Sequence, residues 1–105
     1  MMIWITTGFE GFHYYKEAPD EVAFLKNDHR HIFHIKVWIQ EKEVREIEFI
    51  LFKRFVEDCI KDGLSYMSCE EMCDTLYQRI RQRYSDREIW IDISEDGENG
   101  VFKQY

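Results

Sequence analysis

The chain has no histidine beyond position 34, one proline, three cysteines and no excess of basic residues. Its 21 acidic side chains outnumber 14 lysines and arginines, for a net charge of -7. Nucleic acid and anionic membrane surfaces are thereby excluded as main partners, since both require a basic patch. No stretch is long and apolar enough to span a bilayer, and no basic segment precedes the first strand as in a secretory leader. Cys59, Cys69 and Cys73 are odd in number, which fits the reducing cytosol better than a disulfide framework and implies a cytoplasmic protein. There is no internal repeat and no low-complexity segment. A chain of 105 residues without these features reads as a single domain over 1–105.

What the chain does have is apolar and aromatic. Hydrophobic residues make up 45% and aromatics 16%, too much for a disordered chain. So many aromatics on so short a chain imply that some are buried between subunits. The segment "MIWITTGFEGFHYY" alternates, with Ile3, Ile5, Phe9, Gly11 and His13 on one face. A loop follows around Pro19, and then "HRHIFHIKVWIQ" reads as a second strand. His29, His31, Phe33, Ile35, Val37 and Ile39 share its core face, while His34 lies on the other. "VREIEF" is expected to form a short strand leading into a helix from about Ile50 to Asp62, with Gly63 as its stop. A second helix begins at "SCEEM", where Ser68 and Glu71 have capping-box spacing. "EIWIDISE" and "VFKQY" are the last strands, joined by the turn "DGENG". Strands, two helices and strands again predict an α+β fold with the helices on one face of an antiparallel sheet.

The histidines occupy chosen places. His29 and His31, two apart on a strand, project to one face, and His13 lies on the corresponding face of its own strand. Each extends a core row at its end, as Glu95 extends the row Ile89, Ile91, Ile93. Polar groups so placed must be paired, because burying them alone is costly. Three imidazoles can hold zinc with one coordination position open. The alternative is that a strand merely contains histidines, as His34 does.

With these segments in view, the chain resembles the 6-pyruvoyltetrahydropterin synthase and 6-carboxytetrahydropterin synthase group, of the T-fold, as a compact and divergent member. "FEGFH" is similar to that family's F-x-A-A-H, and "HRHIFHIKV" to its H-G-H-N-Y-x-V-x-V. "EFILFK" is similar to D-F-x-x-L-K, "SCEEM" falls where P-T-x-E-N opens the second helix, and "IDISE" matches V-x-V-x-E. The resemblance implies that His13, His29 and His31 hold zinc. It also implies that Glu95 grips a pterin or purine-like ring, with Glu71 beside it. Further, it implies association of sheets through their edges into a homo-oligomeric barrel, a trimer or hexamer. There are departures. Leu25 stands where the family carries its catalytic cysteine, and the downstream Asp-His pair is missing, which leaves Asp28 and Glu21 as the candidate bases. Two readings follow. One is a synthase-like lyase acting on a dihydropterin triphosphate; the other is a non-catalytic T-fold protein that binds or sequesters a pterin or purine nucleotide. A zinc site that only supports oligomerisation is a third.

Overall fold

A computed structural model describes residues 1–61 and 63–105. Strands β1 (Met2–His13) and β2 (His29–Gln40) are followed by helices α1 (Phe49–Lys61) and α2 (Cys69–Arg81), then β3 (Ile89–Glu95) and β4 (Asn99–Gln104). The strands form one antiparallel four-stranded sheet in the order β1-β2-β3-β4. The architecture is α+β, as the order of patterns implied. The expected end of α1 at Asp62 lies outside the described residues.

Strict alternation makes the sheet two-faced. Ile3 and Ile5 of β1, Phe33, Ile35, Val37 and Ile39 of β2, and Ile89, Ile91 and Ile93 of β3 are all buried. Against them pack Phe52, Val56 and Ile60 of α1 and Met72, Leu76 and Ile80 of α2, residues spaced three or four apart on one stripe of each helix. Ser68 caps α2 by accepting the Glu71 N–H at 3.1 Å. After α1, Gly63 takes φ +88°, a left-handed conformation that suits glycine as the stop.

Two segments differ from the sequence expectation. Within the loop around Pro19, Asp20–Lys26 forms a kinked 3₁₀ segment, begun by the Val22 N–H bonding back to the Pro19 carbonyl at 3.0 Å. "VREIEF" is not a strand: residues 41–48 form turns. Carboxylates have taken over the backbone donors that a strand would have used. Buried Glu41 accepts the Ile47 N–H at 3.1 Å, and Glu46 accepts those of Lys42 and Glu43 at 2.9 and 3.0 Å. Arg45 lies in the left-handed region at φ 60°. Of the apolar alternation only Ile47 enters the core, while Val44 is exposed.

Glu46 also pairs with Arg87, and this contact first, then the two backbone donors, lowers its pKa from 4.5 to about 2. A group whose folded pKa is depressed contributes stability above its unfolded value and loses it as the pH falls. Glu46→Gln should therefore lower the melting temperature at neutral pH. The gap from the parent protein should close as the pH falls from 4.5 to about 2. Thermal melts across that range check it, and a gap independent of pH would contradict the pairing. A second expectation concerns the last hairpin. A Cβ at Gly100 would stand 2.1 Å from the Ile93 carbonyl oxygen and 2.5 Å from Ser94 Cα, so β4 would have to move off β3. Gly100→Ala should cost about 1–3 kcal/mol, read as a lowered urea midpoint.

Candidate metal centre

The antiparallel register of β1 and β2 sets His13 directly across from His29 and Gly11 across from His31. Three imidazoles from two strands thus meet at the end of the core, next to Phe33. Their ring centroids lie 4.6 Å (His13–His29), 4.9 Å (His29–His31) and 5.0 Å (His13–His31) apart, each pair edge to face. One ring nitrogen of each falls within 4.8 Å of those of the others.

Hydrogen bonds decide which nitrogen faces inward. His13 Nδ1 lies 3.0 Å from the Met67 carbonyl, and His29 Nδ1 lies 2.9 Å from the Asn27 carbonyl. A carbonyl has no proton to give, so both Nδ1 atoms carry hydrogen and donate. His31 Nδ1 donates to Asp96 Oδ2 at 2.7 Å. In a neutral ring so tied, Nε2 bears the lone pair. All three rings therefore have Nδ1 anchored to oxygen and Nε2 left as the ligating atom, the arrangement that orients metal-binding histidines. His31 Nε2 is buried and makes no hydrogen bond; the charge beside it is the Glu95 carboxylate at 3.2 Å, a setting that suits a metal ion between them. The donor set fits a borderline-soft cation that takes nitrogen ligands.

Asp96 is the residue that sequence reasoning missed. The segment "DGENG" marks it as a turn residue, which it is, with φ 56°. That turn folds its carboxylate back, so that Oδ1 accepts the Ile32 N–H at 2.8 Å while Oδ2 holds His31. The hydrogen bond from His31, and then that from Ile32, holds the carboxyl below its usual range. An aspartate directly after the strand-ending Glu95 was the available signal.

Glu95 closes β3 opposite Phe33 and turns into the same cluster. Its Oε2 lies 3.2 Å from His31 Nε2 and its Oε1 3.6 Å from His13 Nε2. The Cys69 thiol, at the start of α2, stands 3.9 Å from Oε1. Burial, then the Glu95 charge beside it, pushes that thiol up to about 12, which suits it to donate to the carboxylate.

Beside the cluster opens a cavity of about 670 Å³, within the range of small-molecule sites. His13, His29 and Glu95 line it, with Tyr14, Tyr15 and Tyr66, three further carboxylates in Glu17, Glu70 and Glu71, and one basic residue, Lys16. Leu25 lines it as well. Glu71 thus serves both the α2 cap and the cavity. Asp28 and Glu21 are exposed and do not line the cavity, and His34 is exposed on the opposite face of the sheet.

Fold and site together define an α+β domain with a three-histidine metal-binding geometry at the end of its sheet. No protein-family model matches the chain, and no curated protein matches it. No helix among the described residues is long and apolar enough to cross a membrane.

Asp96→Asn retains the size of the side chain but weakens its hold on His31. Metal affinity should fall about 10- to 100-fold. Competition of the apo-protein against a chromophoric chelator checks this, and unchanged affinity would remove Asp96 from the site.

Proposed function

We propose that this protein binds zinc through His13, His29 and His31 and takes a pterin or purine-like ring in the adjoining cavity, in the manner of the tetrahydropterin synthase group. The observation that carries the reading is the common tethering of the three Nδ1 atoms, which leaves three nitrogens converging beside a cavity. Bound there, zinc would act as a Lewis acid on substrate oxygens. The protein's own part is to orient and exclude water. Tyr14, Tyr15 and Tyr66 offer faces for a planar ring, and Glu95 offers two acceptors for a ring N–H and its exocyclic amine.

Within this reading, the metal triad supports a synthase-like lyase acting on a dihydropterin triphosphate. Specific observations favour the non-catalytic form, in which the protein binds or sequesters its ligand. The cavity presents Leu25 where the group carries its reactive thiol. Four carboxylates against one lysine also suit a ring better than a triphosphate tail.

Assembly into a T-fold barrel, a trimer or hexamer, belongs to the same proposal. The sheet is open, with β1 and β4 as edge strands whose outward backbone groups can pair with another copy. On the face away from the helices, Trp4 pairs across to Trp38 and Trp38 to Trp90, and Phe102 packs beside them. Trp4 and Phe102 remain about half exposed, a surface suited to burial between subunits.

Purified without chelator, the protein should carry one zinc per chain, and the His29→Ala, His31→Ala double variant none. At saturating zinc, calorimetry should detect binding of pterin or guanine. Glu95→Gln turns one acceptor into a donor and should weaken that binding by about 1–3 kcal/mol, roughly five- to a hundredfold. Turnover of a dihydropterin triphosphate would establish the lyase over the binder. A stable monomer in sedimentation at micromolar concentration would rule out the barrel.

A further inference from the structure

Glu95 is too close to the histidines to be only a ring anchor. At bond lengths near 2.05 Å, the edge of a tetrahedral zinc sphere is about 3.4 Å. Glu95 Oε2 stands 3.2 Å from His31 Nε2 and its Oε1 3.6 Å from His13 Nε2, each near that value. The donor atoms that lie within 4.8 Å of one another are those of the three histidines alone, so one carboxylate oxygen has to swing toward His29 to complete a sphere. Both nitrogens lie across their rings from the tethered Nδ1 atoms, which face the Met67 carbonyl in His13 and Asp96 in His31. The carboxylate thus sits against the ring nitrogens that would ligate an ion, in a part-buried pocket where its charge is favoured by a cation close by.

The geometry points to Glu95 as the fourth ligand of the metal centre, closing in the ring-free protein the position that three histidines leave open. This inference rests on the three-histidine zinc site proposed above. Further contacts hold the carboxylate there. The Cys69 thiol faces Oε1 from the start of α2, and the hairpin turn begins at the next residue, Asp96, itself tied to His31 and Ile32. Three nitrogens and a carboxylate oxygen make a closed sphere of the kind found in structural zinc sites, with no position left for water. For Glu95 to accept hydrogen bonds from a ring, it has to leave the metal. Ring binding and an open coordination position are then the same event.

Cobalt(II) substituted for zinc reports this directly. In the parent protein the visible bands should be those of a four-coordinate site and should not change on addition of azide. In Glu95→Ala, azide should enter the vacated position and shift the bands, and zinc affinity should fall about tenfold or more for loss of one ligand. Glu95→Gln, which keeps the side-chain volume, should behave alike and guards against a folding defect in the alanine variant. Azide-sensitive bands in the parent protein, or zinc affinity unchanged in both variants, would overturn the assignment while leaving the histidine site intact. A parent protein that binds neither cobalt nor zinc would overturn both the histidine site and the role of Glu95.

Discussion

The uninterrupted antiparallel pairing of β1 with β2 is the constraint on which the rest of this molecule depends. It runs in constant register from Met2–Gln40 to His13–His29. Side chains alternate with a period of two, so a slip of one residue would send every core residue of one strand to the wrong face. Ile3 and Ile5 would leave the helices, and His13 would leave His29 and His31. The burial that secures the register thus also assembles the three imidazoles. The pairing of β2 with β3 extends the same logic to Glu95, set opposite Phe33 one pleat from His31.

Core and site therefore occupy the same face of the sheet, divided by Phe33. Its ring stacks with Phe9 and lies edge-on to both His13 and His31. On one side of it, aliphatic rows meet helix stripes and exclude water. On the other, the rows end in groups that need partners, and each partner comes from a different loop: Asn27 before β2, Met67 before α2, Asp96 after β3. The helices matter to the site chiefly through their starts and connections. The segment between α1 and α2 supplies the Met67 carbonyl, and the first turn of α2 supplies Cys69 and Glu71 to the cavity wall.

The opposite face follows another rule. Its tryptophans and Phe102 are joined by ring contacts, and Lys36 lies over the rings of Trp4 and Trp38 at 4.0 and 4.7 Å. Such a cluster can persist while partly wet, because a cation over an indole face retains its hydration on the outer side. The sheet thus has a dry face that forms the domain and an aromatic face that stays partly exposed.

Much of this was legible in the sequence because strands and helices write their faces into it by period. The alternations of β1, β2 and β3, the stripes of α1 and α2, the Ser68 cap and the shared parity of His13, His29 and His31 all followed from local spacing. The turns at 41–48 were not legible. Val44, Glu46 and Glu48 alternate with Arg45, Ile47 and Phe49 as a strand would, and only the positions of Glu41 and Arg87 in space decide that carboxylates take the backbone donors. Nor could the oxygens that hold the imidazoles be read. Carbonyls of Met67 and Asn27 have no residue signature, since every residue carries one, and which of them meets an imidazole depends on how loops close. The approach of Glu95 to His31 is the last such case. The sequence set both at the ends of core rows, but the strand register and the turn at Asp96 brought the carboxylate to within 3.2 Å of the ring. Periodicity determined which side chains share a face; only the folded chain decided which of them touch, because contact depends on register and loop closure rather than on spacing along the chain.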